Sequence, residues 1–154
     1  MALSVKIEVQ KSLEVTASFE EAIALVADVP RSVSHFPRME ELVPLGDNTY
    51  RWDMQKLGPD KYSVQIVYAC KYTSDLEAGR VTWTPVSGVG NGQIAGSWEI
   101  SNTQPVRMIL HTEGELTLPF PRLMRRMVEP FVQKEFSRLI GGYTRNLQKV
   151  LGQP

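Results

Sequence analysis

A chain of 154 residues is long enough for one domain, expected over 1–154, that buries about 70% of the surface its unfolded form would expose. Its 42% hydrophobic and 22% charged content fits a globular protein better than a membrane-spanning or disordered one. Seventeen basic residues balance seventeen acidic ones, so no overall field gathers phosphates and no nucleic-acid partner is expected. The single cysteine, Cys70, can close no internal disulfide and cannot hold zinc alone, and neither a metal nor a cofactor is expected. Residues Met1 to Lys6 lack a basic region followed by an apolar signal core. No apolar run approaches the roughly 18 residues of a spanning helix, and the expected address is the cytoplasm.

The first segment places Leu3, Val5, Ile7, Val9, Leu13 and Val15 at odd positions between polar residues, the pattern of a long half-buried strand. Ser18-Phe19-Glu20-Glu21 then opens a helix through about Asp28, with the serine oxygen accepting an early N–H and Glu21 reaching back. Pro30 and Pro37 bracket one further helical turn. From Met39 to Leu118 the period returns to two, and turn signals at Gly46-Asp47-Asn48, Gly58-Pro59-Asp60, Asp75 to Gly79, Ser87 to Asn91 and Asn102 to Pro105 divide it into six more strands.

One face of this meander collects Trp52 and Met54, then Tyr62 through Tyr72 at even positions in one strand, then Val81 and Trp83, Ile94 and Trp98, and Met108 and Leu110. The opposite phase carries Arg51, Asp53, Glu99, Arg107, His111, Glu113 and Glu115. This predicts a charged outer face, with Glu99 beside Arg107, in preference to a metal site. His35 stands alone near a helical turn, where a capping or surface role is expected. From Pro121 to Leu151 apolar residues recur at three and four, predicting a long amphipathic helix, with Pro130 expected to kink or interrupt it.

This order of elements resembles the helix-grip fold of the SRPBCC superfamily, which includes START lipid-transfer domains, birch-pollen-allergen-like proteins and polyketide cyclases. The resemblance covers almost the whole chain. Val5 to Val15 running into Ser18-Phe19-Glu20-Glu21, His35-Phe36-Pro37, and Leu116-Thr117-Leu118-Pro119-Phe120 carry it most clearly. It implies an α+β architecture in which a curved seven-stranded antiparallel sheet wraps a long C-terminal helix, with two short helices after the first strand. It also implies an apolar cavity between sheet and helix, used to carry, sense or cyclise hydrophobic molecules.

Trp52, Met54, Tyr62, Tyr68, Trp83, Trp98, Met108 and Leu110 from the sheet, with Phe131, Leu139 and Tyr143 from the helix, are the expected ligand-binding residues. Buried tyrosine hydroxyls would be polar anchors in that interior. Gly141-Gly142 in mid-helix either leaves room for a ligand or permits close packing. Val89 and Gly90 in the glycine-rich loop, facing Phe120 and Met124, are the expected gate. Arg122, Arg125 and Arg126 among Leu, Met and Phe would suit transient contact with an anionic membrane surface. The leading reading is a carrier of a hydrophobic or amphipathic small molecule such as a lipid, isoprenoid or polyketide-like compound. Its alternatives are a cyclase, aromatase or dehydratase working through cavity tyrosines, for which no catalytic residues are assigned, and an interaction module with a solid core.

Overall fold

In the computed structural model, which describes residues 3–58 and 63–154, strand β1 (Leu3–Val15) buries Leu3, Val5, Ile7, Val9, Leu13 and Val15 on one face. Ser18 then starts α1 (Phe19–Ala27): its Oγ accepts from the Glu21 N–H at 3.1 Å and donates to the Glu21 carboxylate at 3.2 Å. Asp28 ends α1 and caps α2 (Val29–Val33), accepting from the Arg31 N–H at 3.4 Å. This second turn therefore begins before the expected proline boundary. Pro30 sits in its first turn, where a missing N–H forfeits no helical bond.

Strands β2 (Met39–Gly46), β3 (Thr49–Met54), β4 (Val67–Asp75), β5 (Arg80–Pro85), β6 (Gly92–Ser101) and β7 (Val106–Leu118) follow as an antiparallel meander. Strand β1 closes it by pairing with β7 from Leu3↔Leu118 to Val15↔Val106, so the curved seven-stranded sheet runs β1-β7-β6-β5-β4-β3-β2. The architecture is the expected helix-grip arrangement. Two details differ. The strand expected to run from Tyr62 starts only at Val67, because the Asn91 side chain takes the Val67 N–H at 2.9 Å and donates to the Gln65 carbonyl at 3.0 Å, where a neighbouring strand would otherwise pair. On the outer face Glu99 meets Arg80 at 3.1 Å, while Arg107 meets Glu14 at 3.8 Å. The register sets each of those pairs directly across from one another, which overrides the expected Glu99–Arg107 pairing.

A 3-10 turn (Arg122–Met124) leads into α3 (Arg125–Leu151). The helix continues through Pro130 instead of ending before it. Pro130 is exposed, and the carbonyl it leaves unbonded belongs to Arg126, itself exposed in the first turn and open to water. No helix among the described residues is long and apolar enough to cross a membrane.

The long helix lies along the free edge of β1. Arg125 donates to the Ser4 carbonyl at 2.8 Å, and Gln148 to that of Glu14 at 2.8 Å. Gln133 serves both edge groups of Glu8, accepting from its N–H at 3.2 Å and donating to its carbonyl at 3.0 Å. Beyond the strand, the N–H groups of Thr16 and Ala17 donate to the carbonyls of Gly152 and Leu151 at 3.0 and 2.9 Å. Replacing Gln133 with methionine keeps the side-chain length but removes both bonds to Glu8. Urea denaturation should show a loss of about 1–2 kcal/mol, larger than for Gln148→Met, which removes a single bond.

Candidate ligand-binding site

Between the apolar sheet face, the two short helices and α3 lies a cavity of about 50 Å³. Its wall takes Trp52 from β3, Tyr68 and Tyr72 from β4, Trp83 from β5, Trp98 from β6, and Leu110 and Thr112 from β7. Helix α3 contributes Phe136, Ile140 and Tyr143, and the short-helix layer closes it with Val29, Ser32 and Phe36. The rings form a connected mesh. Trp52 stacks on Tyr68 with centroids 5.4 Å apart and planes 17° from parallel, and Phe36 meets Trp52 edge-on at 5.2 Å.

Polar atoms inside this mesh bond to one another. The Trp52 indole N–H donates to the Tyr72 hydroxyl at 2.9 Å. The Trp98 N–H donates to the Tyr143 hydroxyl at 3.2 Å, and that hydroxyl also bonds Ser32. Tyr143 thus joins α3 to both β6 and α2. The Cys70 thiol donates to the Ile94 carbonyl at 3.2 Å. Burial pushes this thiol up to about 12, so it is held as an inert neutral group. Burial likewise pushes Tyr68 and Tyr72 well up from the ordinary phenol value and raises Tyr143.

Among the described residues, the lining includes no carboxylate, imidazole, ammonium or guanidinium. Proton transfer here would fall to tyrosines held neutral far above physiological pH. Binding through neutral hydroxyls and ring faces is the chemistry the geometry offers.

Of the expected ligand-binding residues, Trp52, Tyr68, Trp83, Trp98, Leu110 and Tyr143 surround this one cavity. Met54, Met108 and Leu139 are buried in the packed core away from its wall. Phe131 lies on a separate apolar groove of about 370 Å³, and Tyr62 falls outside the described residues. Phe120 and Met124, placed on the expected gate, line that groove with Val64, Met127, Val128 and Val132.

Val89 and Gly90 sit at the same end of the sheet, where Thr117 donates to the Asn91 carbonyl at 2.8 Å. Their loop is tied down, however. The Asn91 N–H donates to the Val67 carbonyl at 2.9 Å, and Gly90 packs so closely on Val67 that a Cβ would collide with its carbonyl.

Gly142 does not open onto the cavity. A Cβ there would meet Pro37 Cγ at 3.0 Å, so the glycine admits the segment after α2 against α3. The contributions of Ser32, Phe36 and Phe136 were not read from the sequence. The helical period does carry Phe136 and Ile140 onto the Tyr143 face, whereas nothing in a two-turn helical segment announces a buried serine.

In the turn after α2, His35 Nδ1 lies 2.9 Å from the Arg31 carbonyl, a capping position, and on the outer face of the sheet Arg51 pairs with Asp53 at 2.9 Å. Glu8, His111 and Glu113 bring their ligand atoms within 4.8 Å, with His111 Nε2 to Glu8 Oε2 at 2.8 Å. Strand alternation puts these groups on the face away from the cavity, as the charged phase of β7 implies.

No protein-family model matches this sequence, and no curated protein matches it. Solved structures do share the fold. A START superfamily protein from Mycobacterium smegmatis is 18% identical, aligned over 94% of this chain and 96% of that one with a TM-score of 0.64. Ginseng major latex-like protein from Panax ginseng is 10% identical over 96% and 99%, with a TM-score of 0.63. The Zhui aromatase/cyclase from Streptomyces is 14% identical over 94% and 96%, with a TM-score of 0.59. The chain has the helix-grip fold that these structures share.

Two outcomes follow from this packing. Gly142→Leu should lower stability by about 1–3 kcal/mol in urea denaturation by forcing Pro37 off the helix, instead of filling the cavity. The second concerns alkaline pH. The unfolded chain releases the Cys70 proton near its ordinary value of 9.0 and the tyrosine protons near 10.0, whereas the fold retains them. These groups therefore leave stability unchanged below about pH 9, and it falls as pH rises beyond that, by up to about 1.4 kcal/mol per pH unit for each group. Denaturation at pH 8 to 11 should show this slope, shallower in Cys70→Ala.

Proposed function

We propose that the protein binds a hydrophobic or amphipathic small molecule between its sheet and α3, with the apolar body in the groove and one end in the aromatic cavity. The observation that supports this is the alignment of the two spaces along one helix stripe: Val128 and Val132 line the groove, and Phe136 and Ile140 line the cavity. Residues four apart stack on one helix face, so groove and cavity follow one another along α3. At about 370 Å³ the groove is within the range of small-molecule sites, roughly 300–1,000 Å³. The cavity, at about 50 Å³, suits a terminal group. The fold is shared with a START superfamily protein and an aromatase/cyclase, which agrees with a small-molecule role.

The groove's outer lip carries Leu123 at 97% exposure, Met127 at 63% and Phe131 at 38%, with Arg122 and Arg126 exposed beside them. Apolar side chains interleaved with arginines suit an anionic membrane surface, from which an amphipathic ligand could be drawn.

All three tryptophans line the cavity, so intrinsic fluorescence reports its occupancy directly. Titration with 1-dodecanol or pyrene should give a saturable change in folded protein, and a flat response to both would overturn the proposal. Co-sedimentation with phosphatidylserine-containing vesicles should exceed that with neutral vesicles. Replacing Arg122 and Arg126 with glutamine should weaken it by about 1 kcal/mol per arginine. Equal sedimentation before and after would leave the arginines as ordinary surface charge.

A further inference from the structure

Two hydroxyls on the cavity wall make no hydrogen bond to the described residues, those of Tyr68 and Thr112, whose residues are only 4% and 3% exposed. The other hydroxyls on that wall are occupied: Tyr72's by Trp52, and Tyr143's by Trp98 and Ser32. No fully enclosed side-chain nitrogen or oxygen among the described residues lacks a partner. The Tyr68 and Thr112 oxygens escape that condition by opening onto the cavity, so their hydrogen bonds are directed at its occupant.

Both groups are held in place. The Tyr68 ring is fixed by its stack on Trp52. Thr112 is β-branched in the middle of β7, paired to Gly96 on one side and Val9 on the other.

Resting on the ligand-binding reading above, we propose that Tyr68 and Thr112 form a neutral hydrogen-bonding subsite that selects a ligand whose buried end is an uncharged hydroxyl or carbonyl. Each hydroxyl can donate to a carbonyl oxygen, and an alcohol can both accept from one and donate to the other. An alkyl end would leave both unpaired in an apolar enclosure, the situation in which polar sites discriminate most strongly. Carboxylates and ammonium groups are rejected for a different reason. Among the described residues the cavity wall has no charged side chain to pair with either, and an unpaired charge moved from water into such surroundings carries a heavy desolvation cost.

The test compares 1-octanol, 2-octanone, octanoate and octylamine by tryptophan fluorescence and calorimetry at neutral pH. The alcohol and ketone should bind at least tenfold more tightly than the two charged probes. Tyr68→Phe and Thr112→Val should each weaken octanol binding by about threefold to tenfold. Thr112→Ser, which keeps the hydroxyl, should restore it. Thermal unfolding of each variant separates a lost contact from a lost fold, and the serine variant carries the test should valine disturb β7.

Octanol binding that all the variants leave unchanged would overturn the subsite while leaving ligand binding intact. Octanoate binding as tightly as octanol would do the same. Binding of none of the four, in folded protein, would overturn the subsite together with the reading it rests on.

Discussion

The free edge of β1 is the constraint on which the rest of the molecule depends. An edge strand presents unpaired N–H and C=O groups, and here they are met by helix side chains, not by another strand. The spacing explains why this works. From Ser4 to Glu8 to Glu14 the strand advances by four and then six residues, about 13 and 20 Å. From Arg125 to Gln133 to Gln148 the helix advances by eight and then fifteen, about 12 and 22 Å. The two repeats match over the length of the strand, so one helix can serve successive edge carbonyls while running in the same direction as β1. Its apolar stripe is thereby held over the concave aromatic face, and the interior exists because that face curves away from a helix fixed at its edge.

What fills the interior is mostly ring. Three tryptophans and three tyrosines in mutual contact leave about 50 Å³, and the hydrogen bonds among them fix ring orientation as well as satisfying the indole N–H groups of Trp52 and Trp98. Tyr143 has the widest reach, bonding to a strand and to a short helix from a position on α3. A wall built this way tolerates loss of a methylene poorly, since each ring is oriented by its neighbours. It also makes the interior electrostatically neutral, while the sheet's outer face carries charge in cross-strand pairs such as Arg80–Glu99 and Arg107–Glu14.

Much of this was legible in the sequence because period and burial coincide. The odd-position apolar residues of β1, the even-position aromatics of the meander and the three-four spacing of α3 each follow from one face meeting a core. The misreadings share a cause. The late start of β4 and the pairing of Arg107 with Glu14 both depend on a partner distant in sequence, Asn91 and β1, and only Pro37, equally distant, decides between the two readings of Gly142. The helix through Pro130 depends on which carbonyl is left unbonded and whether it faces water. Periodicity names the inward face, but not how deep along that face a cavity lies, so Met54, Met108 and Leu139 were grouped with residues that line it.

The two ends of α3 are held unequally, and this decides where the interior can widen. Toward its C-terminus the helix is bound by Tyr143 to Ser32 and Trp98, by Asn146 to the His35 carbonyl at 2.8 Å, by Gln148 to Glu14, and through Leu151 and Gly152 to the chain after β1. Toward its N-terminus Arg125 and Gln133 make the side-chain bonds to the sheet, and the apolar contacts there include the half-exposed residues of the groove. Local opening follows the segment with fewer buried contacts and more solvent-facing bonds. The glycine-rich loop, though short of side chains, is knit to β4 by Asn91 and lacks that freedom. On the proposed ligand-binding reading, a molecule would meet least resistance by parting the first turns of α3 from Val64 and Phe120, and would travel inward along Val128, Val132 and Phe136.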